Sequence, residues 1–206
     1  MDGMKALLTR RSIRLFRPEP VEPELIRSVI EAAMHAPSAG NQQPWRFVLI
    51  QDREALRKIA EDHPYASAVD SCPVAILVCA ATRDLPHPDF WAVDCAAATE
   101  NLMLAAHMQG LGSLWVGLYP RRDRMAILSK VVHLPEDVEP FALIPIGYPL
   151  ERPEQPDRYR PEWIRSERWY DAWPLGRQAF ASQAEEEEAK RRKLEGLRRP
   201  DSGLHD

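Results

Sequence analysis

Hydrophobic positions along this chain alternate between short unbroken runs and stripes spaced every three or four residues. Leu25, Ile26, Val29, Ile30, Ala33 and Met34 form such a stripe, predicting a helix that starts near Pro23, tolerated in a first turn, and stops before Pro37. Arg46 to Gln51, with Phe47, Val48, Leu49 and Ile50, is β-branched and aromatic enough for a buried strand. Asp52 can then cap a helix through Leu56, Ile59 and Ala60. Val74 to Ala80 is a second apolar run, read as a core strand, and Thr82 to Pro88 a proline-broken loop. A long helix from about Asp89 to Gln109, closed by Gly110, is apolar on most sides, interrupted only by Asp94, Thr99, Glu100, Asn101 and His107. Such a helix is buried in its own domain or against a second subunit.

Arg121 to Val132 reads as a short helix, Leu134 to Asp137 as a turn, and Phe141 to Ile146 as the last clear strand. Pro149, Pro153, Pro156 and Pro161 then imply an extended arm. Farther on, Glu185 to Glu188 followed by Lys190 to Lys193 gives acid-to-base pairs four residues apart but almost no apolar face. The expected organisation is one domain with its arm over residues 1–170, and a charged tail over 171–206 that is helical or disordered.

Composition narrows the function classes. A length of 206 residues and 45% hydrophobic content suit one well-cored domain, and 27 basic against 31 acidic residues leave a net charge of −4, which asks for neither nucleic acid nor an anionic membrane. No apolar run approaches the roughly 20 residues of a membrane span, and the start of the chain lacks the plan of a signal peptide, so the reading is cytoplasmic. Cys72, Cys79 and Cys95 have no Cys-x-x-Cys spacing, and the six histidines form no His-Glu-x-x-His helix. Neither a disulfide framework nor a metal site is expected.

Candidate chemistry begins at Arg10-Arg11-Ser12-Ile13-Arg14. Guanidinium forks bind phosphate bidentately and keep their charge, and a serine hydroxyl can donate or accept beside them. In an extended segment Arg10, Ser12 and Arg14 would share one face and Arg11 the other. The alternative is a solvated basic turn. A second stretch, Pro37-Ser38-Ala39-Gly40-Asn41-Gln42-Gln43-Pro44-Trp45, sets side-chain amides between two prolines, a fixed loop able to read a ring that carries both donors and acceptors. Gly110-Leu111-Gly112 and Gly117 fail as a dinucleotide fingerprint, because these glycines follow a helix instead of a strand.

Together the two stretches resemble the FMN-dependent nitroreductase family: Arg10, Ser12 and Arg14 match its Arg-x-Ser-x-Arg/Lys opening, and Pro37, Ser38, Asn41, Gln43, Pro44 and Trp45 its amide loop. The resemblance runs to about Trp169. It implies an α+β fold, a central mainly antiparallel sheet flanked by helices, in an intertwined homodimer. It also implies a ping-pong enzyme passing hydride from NAD(P)H through FMN to a nitroaromatic, quinone or similar small-molecule acceptor. The related reactions of reductive dehalogenation, heterocycle oxidation and flavin fragmentation, and a flavin-binding protein without turnover, stay open as alternatives. The resemblance places the flavin phosphate with Arg10, supported by Arg158 and Arg160 of the arm, with Arg11 in the same cluster. Ser12 and Arg14 lie by the ribityl chain and the N1/O2 edge, and Pro37, Ser38, Asn41 and Gln43 form the loop at the N3/O4 edge. Trp115, Val116 and Gly117 pass the ring, where a backbone N–H can meet N5. No side chain is required as acid or base, and no catalytic residue is nominated.

Overall fold

The computed structural model describes residues 2–172. The chain divides after Gln155 into two units. In the first, helix α1 is Gly3–Thr9, capped by the Asp2 carboxylate accepting the Lys5 N–H at 3.2 Å. Helix α2, Pro23–Met34, opens on proline as expected. Strand β1 is Trp45–Ile50, and helix α3, Arg53–Asp62, is capped by Asp52, whose carboxylate accepts the Ala55 N–H at 2.8 Å. Strand β2 is Val74–Ala81. Helix α4 is Trp91–Met108, two residues shorter at its start than the sequence suggests because Pro88–Phe90 forms a 3₁₀ turn. Gly110 closes it at φ +82°, with Leu111 N–H returning to the Ala106 carbonyl at 2.9 Å, the left-handed stop that glycine supplies.

After the glycine stop come two short strands, β3, Gly112–Ser113, and β4, Val116–Gly117. Helix α5 is Arg122–Val131, and strand β5, Val138–Gly147, runs longer than the Phe141 to Ile146 expected. Pro140 hid its start, since proline withholds a ladder N–H and argues against a central strand. The sheet accommodates Pro140 beside the register shift at Val78/Cys79.

The sheet order is β1-β2-β5-β3, with β4 also on β5, and every pairing is antiparallel. Side chains alternate faces along β2, so Ile76 and Val78 pack with Val29 of α2 and Ala98 and Leu102 of α4, while Leu77 and Cys79 pack with Leu56 and Ile59 of α3 and Leu128 of α5. Helices cover both faces, which is why β2 is an unbroken apolar run. Burial pushes the thiols of Cys72, Cys79 and Cys95 up to about 12, making them core residues without nucleophilic character at neutral pH.

His63, at the end of α3, is buried; its Nδ1 accepts the Tyr65 N–H at 3.2 Å and its Nε2 has no partner among the described residues. Burial, and then the Arg124 guanidinium, hold its pKa below the ordinary 6.5, with Asp123 opposing. The folded chain therefore keeps this ring neutral where the unfolded chain takes up a proton, and stability declines as pH falls through about 6.5. Urea midpoints should drop between pH 7.5 and 5.5, and drop less steeply in His63→Phe; equal slopes would assign the acid sensitivity elsewhere.

No helix among the described residues is long and apolar enough to cross a membrane. In the second unit, Arg160 lies 4.0 Å from Asp157 and donates to the Tyr159 carbonyl at 2.9 Å, and Arg158 is exposed. Glu185 to Glu188 and Lys190 to Lys193 fall outside the described residues.

Candidate functional site

After α1 the backbone turns extended and threads into the sheet. Ile13 N–H donates to the Ser113 carbonyl at 3.0 Å, Ser12 bridges Ser113, and Phe16 bridges Pro149. The fit is close at Gly112, where a Cβ would stand 2.8 Å from Ile13 Cγ1. Only glycine lets the arginine segment lie this near to β3.

Alternation sends the two leading arginines to different neighbours. Arg10 Nε lies 3.4 Å from Glu100 Oε1 of α4, while its Nη1 is buried without a hydrogen-bond partner among the described residues. Arg11 Nε is likewise buried and partnerless, and its side chain lines a cavity of about 360 Å³ together with Thr9, Ile13, His107, Gly112 and Arg152. The Thr9 hydroxyl donates to the Lys5 carbonyl at 2.6 Å, leaving its oxygen to meet His107 Nε2 at 2.9 Å. Burial, and then Arg10, lower the His107 pKa, so this end of the cluster carries guanidinium charge and a neutral imidazole near pH 7. Arg14 is exposed, and its backbone N–H donates to Glu151 Oε1 at 2.5 Å.

The amide loop has an unusual backbone. Gly40, Asn41 and Gln43 all take left-handed φ values, +54°, +57° and +46°. Non-glycine residues adopt this conformation only where surrounding bonds hold them. Here Ala39 N–H donates to Asp94 Oδ1 at 2.9 Å, Gln42 Nε2 to Asp94 Oδ2 at 2.7 Å, and Gln43 N–H to Ser38 Oγ at 3.1 Å. Gln43 Nε2 donates to Asn41 Oδ1 at 3.0 Å, so Ser38, Asn41 and Gln43 form one hydrogen-bonded unit beside Pro37.

Trp115, Val116 and Gly117 lie across β5, with Val116 opposite Leu143 and Gly117 opposite Ala142. Val116 is buried, and the space over Gly117 is open, with nothing within 4 Å of where a Cβ would be. Trp115 meets Phe141 edge-on at 5.7 Å, and Phe141 in turn meets Tyr119 and Trp91 at 6.3 and 6.2 Å. The result is an aromatic wall beside the β4 backbone.

Both stretches are anchored to α4, on different turns. Asp94 holds the amide loop and Glu100 holds Arg10, six residues or about 9 Å along the axis, and His107 is a further 10 Å on. Asp94 and Glu100 were visible in the sequence only as interruptions of an apolar helix, and Gln42 only as one amide among three. A carboxylate in the first turn of an otherwise apolar helix was the available signal.

The profile of the nitroreductase family matches residues 7–63 and 61–148. The chain belongs to the nitroreductase family. Its fold, helices packed on both faces of an antiparallel sheet, is the nitroreductase fold. One relative, from Methanothermobacter thermautotrophicus and provisionally named an NADH dehydrogenase/NAD(P)H nitroreductase, is 44% identical over 169 residues, covering 82% of this chain and 88% of that one. The FMN reductase [NAD(P)H] of Bacillus subtilis is 30% identical, covering 82% of this chain and 74% of the other. A solved structure from Desulfovibrio desulfuricans, provisionally a nitroreductase and in complex with FMN, is 28% identical at a TM-score of 0.71, covering 82% of this chain and 98% of that one.

Proposed function

We propose that this nitroreductase-family chain is an FMN-dependent oxidoreductase that takes electrons from NAD(P)H and delivers them to nitroaromatic, quinone or similar small-molecule acceptors in ping-pong fashion. The observation that carries this reading is the pair of buried guanidinium nitrogens, Arg10 Nη1 and Arg11 Nε, without hydrogen-bond partners among the described residues. A buried charged donor left unpaired is costly, and a phosphate monoester supplies the acceptors this pair lacks. The donor set therefore fits FMN.

Arg10 and Arg11 hold the phosphate. Ser12 offers its hydroxyl to the ribityl chain, and Arg14 places positive charge by the N1/O2 edge. Pro37, Ser38, Asn41 and Gln43 present the amide loop to the ring, and Trp115, Val116 and Gly117 bring an aromatic wall and a backbone N–H to its other side. Bound FMN supplies the hydride chemistry; the chain binds it, orients it and excludes water.

The working unit is a homodimer. Met4, Leu7 and Leu8 of α1 and Val93 of α4 are all exposed apolar side chains, a surface that a second copy would cover. With the arginine cluster and the amide loop on different turns of α4, a second copy also offers its own loop to complete the site. The protein acts in the cytoplasm.

The test is the visible absorption spectrum of the purified protein, followed by identification of any flavin released on denaturation. Stoichiometric FMN supports the reading. A colourless protein that takes up no added FMN overturns it.

A further inference from the structure

The segment between β2 and α4 has few tethers. At its start, Thr82 N–H donates to the Asp137 carbonyl at 2.9 Å and Arg83 Nε lies 3.2 Å from Asp137 Oδ2. At its far end Trp91 is fixed in the aromatic wall, 4.7 Å from Tyr119. Between these, residues 83, 84 and 86–90 are exposed, Phe90 among them, and Asp84 sits at φ +58°.

One side chain interrupts that exposure. Gln42 Oε1 accepts the His87 N–H at 3.0 Å, and Gln42 Nε2 donates to the His87 carbonyl at 3.0 Å. The carboxamide thus treats His87 as one strand treats its neighbour, using donor and acceptor together. The same Nε2 donates to the buried carboxylate of Asp94, whose other oxygen fixes the Ala39 N–H. The His87 ring also rests on Gly40, where a Cβ would come within 2.5 Å of its Nε2. A single amide and a single carboxylate therefore join two loops 45 residues apart in sequence.

We propose that Gln42 is a latch and Asp94 its anchor, positioning residues that tie the 82–90 segment to the amide loop, so that occupancy of the flavin site governs the opening of that segment to the acceptor. The proposal rests on the flavin reading above. The segment ends at the aromatic wall that carries Trp115 to Gly117, so it spans from the loop that reads the ring to the wall beside it. An amide loop held firm by a bound ring keeps Gln42 on His87; an empty loop lets both shift together. Neither residue touches the reacting atoms.

Trypsin cleavage after Arg83, followed by mass spectrometry of the fragment it releases, reads the latch directly. In the wild type, added FMN should slow this cut about tenfold, the scale of one to two lost hydrogen bonds. In Gln42→Ala the cut should be fast with or without FMN. Gln42→Glu gives a second readout. At pH 8 its carboxylate faces Asp94, has no proton to donate to the His87 carbonyl, and should raise the acceptor KM for p-benzoquinone about tenfold, while near pH 5.5 protonation of the introduced carboxyl, whose O–H can then donate to that carbonyl, should restore it. Gln42→Ala should show no such recovery. Equal protection of Arg83 by FMN in wild type and Gln42→Ala, or a wild-type KM for Gln42→Glu at pH 8, would overturn the latch. Should the wild type bind no FMN, the flavin reading falls. The latch, which couples that segment to the flavin site, falls with it.

Discussion

Arg10→Ala will weaken FMN binding by about a hundredfold, equivalent to roughly 2.7 kcal/mol and within the range for one or two charge-assisted hydrogen bonds. The size follows from where this guanidinium sits. Its Nη1 is buried, so its bond to a phosphate oxygen is little screened by water, and deletion also leaves Glu100 as an uncompensated carboxylate beside the anion. Arg10→Lys keeps the charge but loses the fork, and should recover only about a tenth of the lost affinity. The fold should survive either change, because the Arg10–Glu100 pair is partly solvated and worth less than about 1 kcal/mol. Titration of FMN fluorescence against protein reads both variants. An Arg10→Ala affinity within a factor of about three of wild type would transfer the phosphate to the cavity lined by Arg11.

Leu77→Ala will cost about 3–4 kcal/mol of folding stability, within the range for a fully buried leucine cut to alanine. Leu77 is the middle of β2, inaccessible to solvent, with Val48 and Leu143 directly across on the neighbouring strands and α3 and α5 closing the layer. β2 is hydrogen-bonded to β1 on one side and β5 on the other, so its backbone cannot collapse into the space. Thermal unfolding should fall by about 6–16 °C for a domain of this size, and Leu77→Met should cost less than half as much. Leu77 packs on the face opposite α4, so FMN affinity of the folded variant should stay at the wild-type value. A fall below about 1 kcal/mol would mean that the layer between α3 and α5 is loosely packed.

Sequence patterns were most legible where local chemistry decides structure. The Asp52 cap, the proline opening of α2, the glycine stop of α4 and the apolar run of β2 are each specified within a few residues. They fell short at the start of β5, where Pro140 contradicts local strand preference and the rest of the sheet overrides it. The bounds of β3 and β4, two residues each, follow from pairing with β5 and, for β3, with the Ser12 segment. At the site, the types and order of Arg10, Ser12, Arg14 and the amide loop pointed to an anion and a ring. The sequence did not say that Glu100 would lie against Arg10, or that Asp94 would hold Ala39 and Gln42. Those pairings depend on which turn of α4 meets which loop, a property of packing that no short window of sequence contains.

Because α4 carries Asp94, Glu100 and His107 as attachment points for two separate pieces of chain, the amide loop and the Thr9–Arg10 turn, its length works as a gauge. Removing or adding one residue between Asp94 and Glu100 would move one attachment about 1.5 Å and swing it roughly 100° around the axis, carrying Arg10 off its partner or the amide loop off its cap. Insertions and deletions in this chain can be absorbed between β2 and α4, where the backbone is exposed and tethered only at intervals, but not within the helix. Grafting this site onto another scaffold would thus require transplanting α4 at full length, with its loops attached, in place of the arginine and amide motifs alone.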